Sequence, residues 1–443
     1  MARRLKIIGG GLAGSEAAWR ASTLGVDVAL YEMKPQKFSP AHKSPNLGEL
    51  VCSNSFRSDS PENAVGLLKE ELRALGSVVM RAAETTKVPA GKALAVDREL
   101  FGEELTRLVS ERGNIELIRG EVCSVDFQGD DPVLIATGPL SSEPLVKWLL
   151  SITGGQNLSF YDALAPIVTW ESLERDKVYL GDRYGEGSGD YLNAPFSKEE
   201  FEIFYEALVE ADKLEPRPFE DEKYFEGCLP IEVMAQRGPK TLTFGPMKPV
   251  GLVDPRTGVK PYAVVQLRRE NLSGTLWNIV GFQTRLTRPS QEKVFRLIPG
   301  LKDVEFARYG AIHRNTYLEA PEALDPFQRL KAEPRLFVGG QISGVEGYVE
   351  SAAHGLIAGE NAARTMLSQP LVQLPQETAL GALMSHLLHF PGRKGFAPSN
   401  VNFGLFSPLP KDIPRKEHAR YRLERARKIF PIFLDQIAYA HPH

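Results

Sequence analysis

Two sets of residues in this chain have types and spacing that could do chemistry: a glycine-rich loop near the start, and three thiols. The loop, Gly9-Gly10-Gly11-Leu12-Ala13-Gly14, has the spacing G-x-G-x-x-G. Gly9 permits a tight turn, Gly11 lets the backbone approach a pyrophosphate, and Gly14 allows a helix to pack closely on a strand. An acid, Glu32, follows 23 residues after Gly9. Its carboxylate can accept hydrogen bonds from both hydroxyls of an adenosine ribose and would repel a 2′-phosphate. The loop therefore points to FAD or NAD rather than NADP. The thiols, Cys52, Cys123 and Cys228, lie 71 and 105 residues apart. With no C-x-x-C pair and an odd count, they suggest neither a metal site nor a disulfide framework, and a reducing cytoplasm is expected.

These residues need elements to hold them. Leu5 to Ile8 reads as a short buried strand, and Ser15 to Leu24 as a helix stopped by Gly25. Val26, Val28 and Leu30 alternate as a second strand that ends at Glu32. In that setting the helix N-terminus offers free N–H groups to an anion. Cys52 follows an apolar pair in Glu49-Leu-Val-Cys-Ser-Asn-Ser55, and Cys228 sits at an aromatic-to-proline break, Tyr224 to Pro230. From local sequence, each reads either as a reactive thiol or as a buried structural cysteine. Cys123 alternates with Val125 and Phe127 and reads as packing.

Pro132 to Gly138 is a buried-strand signal ending in Ala-Thr-Gly138. Arg335 to Gln341 is another, running through Gly340-Gln341 into Ser343-Gly-Val-Glu-Gly347-Tyr348. A small-residue helix, Ser351 to Gly359, follows and is suited to packing against a flavin or a strand. A Rossmann start and a glycine-rich return some 330 residues later resemble the FAD-binding domain of two-dinucleotide-domain flavoproteins. In those proteins the last motif wraps the ribityl chain and aims a helix N-terminus at the flavin. Many have Gly-Asp where this chain has Gly340-Gln341. The intervening stretch is richer in aromatics and prolines, with strands at Val264 to Leu267 and Leu276 to Val280. The expected fold class is α/β: a discontinuous Rossmann-type FAD-binding domain, residues 1–168 and 309–443, interrupted by a smaller α+β insertion domain, 169–308.

The composition sets outer limits. The chain has 443 residues, 42% hydrophobic and 25% charged, as in ordinary globular proteins. A net charge of −3 suggests neither nucleic acid nor membrane, and no run of 18 apolar residues exists to span a bilayer. Residues 411–428 depart from this balance with a net +5. If helical, they form either an electrostatic footprint for RNA or a solvated face with Glu417 and Glu424 interspersed. Nothing in the sequence calls for an obligate protein partner.

Longer blocks carry a resemblance. Gly9 to Ala18, Val51-Cys-Ser-Asn-Ser55, Val88-Pro-Ala-Gly91, Ala95-Val-Asp-Arg98, Gly245-Pro-Met-Lys-Pro-Val-Gly-Leu-Val-Asp-Pro-Arg-Thr-Gly258, His313-Arg-Asn-Thr-Tyr317 and Gly344 to Ser351 resemble the folate- and FAD-dependent tRNA uracil-5-methyltransferase family, TrmFO. The long block from Gly245 is its most specific part. The resemblance implies C5-methylation of a tRNA uridine, in the T-loop, with methylenetetrahydrofolate as one-carbon donor, FAD as cofactor and NADH or NADPH as reductant. It also implies Cys228 as the thiolate that adds to uracil C6, which turns C5 into an enolate-like nucleophile. Cys52, beside the flavin, would assist transfer or remove the C5 proton. His313 would lie against the pterin, its other reading being a His-Arg turn that only binds backbone. Arg285 and Lys248 are candidates for folate carboxylates or RNA phosphates, with surface solvation as the alternative. The cofactor contacts fall at Gly9, Gly10, Gly11, Leu12, Ala13, Gly14, Glu32, Gly138, Gly340, Gln341, Gly347 and Tyr348. Two other functions fit the same features: the wobble-uridine modification of the larger relative MnmG (GidA), disfavoured by length, and a flavin-binding RNA scaffold without turnover.

Overall fold

The computed structural model describes residues 3–127, 129–154, 158–183, 189–214, 229–388, 398–410 and 412–439. Strand β1 (Leu5–Ile8), helix α1 (Leu12–Thr23) and strand β2 (Val28–Glu32) follow the reading from sequence to within a few residues. Gly9 makes the turn between β1 and α1 with φ +105°, where an added Cβ would meet the Ala136 carbonyl oxygen at 2.5 Å. Only glycine fits there.

β1 and β2 pair in parallel at the centre of a six-stranded sheet. Its order is Arg329–Leu330, Glu333–Val338, Val133–Ile135, β1, β2, Ile115–Arg119. All neighbours are parallel except the short edge strand Arg329–Leu330. The central strands are apolar on both faces, Leu5, Ile7, Leu30, Leu134 and Ile135 being fully buried, because helices cover the sheet.

A second six-stranded sheet is antiparallel, ordered Tyr179–Leu180, Leu192–Phe196, Ala263–Arg269, Leu276–Ile279, Ile167–Thr169, Phe306–Arg308. Its core is a separate, aromatic cluster that includes Phe196, Phe201, Phe204, Phe282 and Phe295. Between the two sheets runs an antiparallel ribbon, Leu158–Ala163 with Ile312–Tyr317. The ribbon carries the chain out of the parallel sheet and back again.

The small-residue helix is longer than its sequence signal, spanning Tyr348–Met366. It was expected to lie on a flavin or a strand, and its closest packing is instead on α1. A Cβ on Gly355 would come 2.2 Å from the Ala13 carbonyl oxygen, and one on Gly359 2.5 Å from the Ala17 Cα. The small residues therefore serve a backbone-to-backbone helix contact. Of the C-terminal basic stretch, Arg415–Glu417 form a 3-10 turn and the part from His418 onward is α-helical, within His418–Tyr439. Among the described residues, no helix is long and apolar enough to cross a membrane.

Candidate active site at the carboxyl edge of the parallel sheet

Open α/β sheets bind ligands beyond the carboxyl ends of their strands, where connections leave in opposite directions. A cavity lies there, lined by Gly9, Gly11, Glu32, Thr137 and Leu140 among others. Glu32 ends β2 with its carboxylate already oriented: Gly10 N–H donates to Oε2 at 2.8 Å and Lys34 N–H to Oε1 at 2.9 Å. Each oxygen keeps a lone pair for an incoming hydroxyl. Gly11 is the N-cap of α1, with no side-chain cap, and a Cβ placed on it would meet no atom within 4 Å. The helix thus starts with uncapped N–H groups behind an open cradle, which fits a pyrophosphate. Leu12, Ala13 and Gly14 form its first turn.

Leu140 also lines a second cavity of ≈ 430 Å³, so the two adjoin at that residue as the two ends of a trough. Gly138, with φ +67° and open space before it, lies two residues from that shared wall. The second cavity is bounded by Cys52, Arg268, Asn315, Gln341, Glu346 and Tyr348, with further apolar lining. Gly340 takes φ +80° and its N–H donates to Nδ1 of His354 at 3.0 Å. Burial pushes His354 down to about 3, which keeps the ring neutral and Nδ1 an acceptor. Gln341, where many flavoproteins have Asp, donates its amide to both oxygens of Glu346 at 3.0 Å. A carboxylate missed by the motif reading thus stands one hydrogen bond further along. Gly347 caps helix Tyr348–Met366 at φ +106°.

Tyr348, the first residue of that helix, reaches Cys52. Its hydroxyl oxygen accepts from the backbone N–H of Cys52 at 2.9 Å and of Ser53 at 3.1 Å, and lies 3.0 Å from Cys52 Sγ. Two donors occupy the oxygen's lone pairs, so the hydroxyl proton is left for the sulfur. Burial, above all, pushes the Tyr348 hydroxyl well above 10, so it remains a donor. The two carbonyls before Cys52 are gripped by arginine. Arg98 donates to the carbonyls of Leu50 and Val51, and Arg308 to that of Val51 at 3.1 Å. Arg98 is ion-paired with Glu270 at 2.5 Å. Burial first, then repulsion from Arg98, brings Arg308 down to about 10. A directed hydroxyl proton and two nearby guanidinium groups are an environment that favours thiolate chemistry.

The other sequence candidates are placed differently. Cys228 lies outside the described residues. His313 is in strand Ile312–Tyr317, its backbone opposite Asp162, so it is not in a turn; its side chain is outside the description. Arg285 is buried at 7% exposure, against the surface-solvation reading, and its backbone N–H donates to Glu232 Oε1 at 2.8 Å. It is not among the residues bounding the Cys52 cavity. Cys123 is exposed and in no strand, which corrects its reading as packing. Among the described residues, no group of three or more His, Cys, Asp or Glu could hold a metal ion. Arg268 and Asn315 were not singled out by sequence; Asn315 stands inside the His313 block, whereas Arg268 carried no signal beyond a charge on a strand.

Comparison with known proteins accords with this arrangement. The family model described as glucose inhibited division protein A, GIDA, matches residues 4–370. A protein of Desulfotalea psychrophila named methylenetetrahydrofolate–tRNA-(uracil-5-)-methyltransferase TrmFO is 55% identical over 418 residues, 94% of each chain. The Geobacter sulfurreducens protein of the same name is 55% identical over 427 residues, 96% of this chain and 98% of that one. Among solved structures, Aquifex aeolicus GidA aligns with TM-score 0.71 at 17% identity, covering 97% of this chain and 73% of its own, and so shares the fold. The protein belongs to the TrmFO family, within the wider GidA group.

Proposed function

We propose that the protein transfers a one-carbon unit from methylenetetrahydrofolate to C5 of a uridine in tRNA, in the T-loop, using bound FAD and NADH or NADPH in the cytoplasm. The observation that carries this reading is the Cys52 thiol, met by the Tyr348 hydroxyl at 3.0 Å, at the far end of a trough that starts at the dinucleotide loop. The names of relatives at 55% identity support the same reaction. FAD, when bound, would supply the reducing equivalents that bring the carbon to the methyl level. Glu32 would take its ribose, the N-terminus of α1 its pyrophosphate, and Gly340, Gln341 and Gly347 would line the way to Tyr348. Residues 1–168 and 309–443 act as the FAD-binding domain on this reading, and 169–308 as the insertion.

Cys228 adds to uracil C6, and the pair of electrons of the C5–C6 bond moves onto C5 and the C4 carbonyl. C5 then attacks the activated methylene, Cys52 takes the C5 proton, the bond from the carbon to the folate nitrogen breaks, and Cys228 leaves C6 once the carbon has gained the two electrons that reduced flavin would supply. His313 is assigned to the pterin and Arg285 to a folate carboxylate. Unmodified tRNA, methylenetetrahydrofolate labelled in its methylene, FAD and NADH or NADPH make the test. Label at uracil C5 is the expected result, and its absence with yellow, tRNA-binding protein overturns the reading. Cys228→Ala should form no covalent adduct with 5-fluorouridine RNA. Cys52→Ala should form adduct without product, and Cys123→Ala should match the wild type.

A further inference from the structure

Arg268 has an unusual set of partners for a buried cation. It is 6% exposed, yet among the described residues its guanidinium donates only to neutral groups: Nε to Asn54 Oδ1 at 3.1 Å, and Nη2 to Asn54 Oδ1 at 2.8 Å and Ser53 Oγ at 3.1 Å. Among the described residues, no carboxylate forms an ion pair with it, whereas neighbouring Arg98 has Glu270. A buried charge is costly unless something of opposite sign compensates it. Asn54 is itself fully buried, and its amide is fixed by the carbonyls of Val96 and Arg269 at 2.9 Å each. Arg268 is thus held rigidly beside Cys52, through the two residues that follow it, and borders the cavity.

A second group completes the pattern. Asn315 is 2% exposed, borders the same cavity, and its Nδ2 has no hydrogen-bond partner among the described residues. A buried donor left unpaired destabilises a fold and calls for an explanation in function. Beside the Glu346 carboxylate held by Gln341, the cavity therefore carries a guanidinium anchored by neutral groups and one waiting amide donor, both suited to a carbonyl oxygen that acquires negative charge. Arg268 comes from the antiparallel sheet and Asn315 from the ribbon, so neither belongs to the helix N-terminus at Tyr348.

Resting on the reaction proposed above, we infer that Arg268, with Asn315 as second donor, binds the C4 carbonyl oxygen of the target uracil and holds its charge. C4 is bonded to C5, so a group that serves O4 must stand next to the group that serves C5. Arg268 stands there, tied to Ser53. When a thiolate adds to C6, the C–S bond forms, the C5–C6 π pair shifts to C5–C4, and the carbonyl pair moves onto O4. Arg268 and Asn315 hold that enolate. Its electrons return when C5 forms its new bond, and C4=O4 is restored. The pair acts as an oxyanion site, where donors fixed in advance favour the charged species over the neutral base.

The test follows hydrogen exchange rather than methylation. Addition at C6 labilises C5–H, so tritium leaves [5-³H]uridine tRNA in the presence of the FAD-loaded enzyme, without folate or reductant. Arg268→Gln, which retains an amide for Asn54 and Ser53, should slow this release by about 10²–10³-fold. Its flavin absorbance and tRNA affinity should stay near wild type. A tRNA with 4-thiouridine at the target should exchange more slowly in the wild type and show little further loss with Arg268→Gln, since both changes remove one contact. Asn315→Leu keeps the shape without the donor. It should exchange about tenfold more slowly while its Tm holds or rises, a combination that a structural role does not give, and it carries the test if Arg268→Gln does not fold. Wild-type exchange by both variants, or an undiminished 4-thio effect in Arg268→Gln, overturns the assignment alone. A wild type that exchanges no tritium and traps no 5-fluorouridine adduct overturns the underlying reaction as well.

Discussion

At the Glu32 end of the trough the contacts come from backbone within one local unit: the N–H groups of Gly10 and Lys34 on a carboxylate, and open space before Gly11. At the Cys52 end they come from side chains of Arg98, Arg268, Arg308, Asn315 and Tyr348, segments joined only by tertiary packing. A site built mainly of backbone responds to added side-chain volume, because apart from Glu32 there is no side chain to replace. A side-chain-built site responds to the identity of single atoms, because volume can be matched while a donor is lost. Binding and chemistry should therefore fail under different substitutions.

The largest effect is expected at the backbone-built end. Gly14→Val places a Cβ 1.8 Å from the Gly9 carbonyl oxygen, a backbone clash costing about 3 kcal/mol or more, and folded protein should not accumulate. Gly11→Val adds a Cβ with no protein atom within 4 Å, so it should fold with a Tm near wild type and yet purify colourless. Yellow Gly11→Val protein would break the comparison, because volume would then not decide binding.

At the other end, Tyr348→Phe keeps the ring and removes one oxygen. Flavin uptake should survive, while methyl transfer falls by about 10²-fold. The rate of Cys52 alkylation, followed on its own peptide by mass spectrometry, should rise only at higher pH than in the wild type. An unchanged pH profile would show that the hydroxyl proton does not serve the sulfur.

A smaller effect separates fold from site through pH. Burial pushes Glu71, whose oxygens accept from Ala379 and Leu380 N–H at 2.8 Å, up to about 8. Burial likewise raises Glu16 to about 7. Between 4.5 and these values the folded protein binds more protons than the unfolded chain, so stability falls as pH rises. Tm should decline from pH about 5 to about 8, and Glu71→Gln should flatten that decline. A slope equal to wild type would place the titration elsewhere.

The smallest effect concerns the basic helix. Arg420 faces Glu417 at 2.9 Å, Arg425 holds Ser407 Oγ at 2.7 Å, and Arg427 pairs with Glu70 at 2.9 Å. With those guanidinium groups already engaged within the chain, Arg420→Gln with Arg425→Gln should change the salt slope of tRNA binding by less than about one. A larger change would assign this helix to RNA.

The same contrast governs what the sequence discloses. β1, α1, β2 and the Gly9 loop are legible because their signals, alternation and glycine spacing, are local and so are their contacts. The small-residue helix was legible as a helix but not in its partner, since Gly355 and Gly359 meet α1 across more than 300 residues of chain. Arg285 reads equally as a contact for folate or RNA and as a solvated surface charge until its burial removes the second reading. Cys123 alternates like a strand residue but lies in no strand and stays exposed. Arg268 and Asn315 are ordinary letters within strands; only the convergence of two sheets and a ribbon makes them donors on one cavity.

The contact of Gly355 and Gly359 with Ala13 and Ala17 has a consequence for ligand length. It presses α1 against helix Tyr348–Met366 with no side chain between them to act as a compressible layer. The N-terminus of one helix faces the Gly11 cradle, and that of the other ends at Cys52. The two helices therefore form a caliper whose jaws cannot open or close independently. A ligand that engages both jaws must match a fixed span, and one carrying only half that length is held at one jaw alone. The spacing of the two helix N-termini is thus set by the glycines of a helix–helix contact rather than by the atoms that line either cavity.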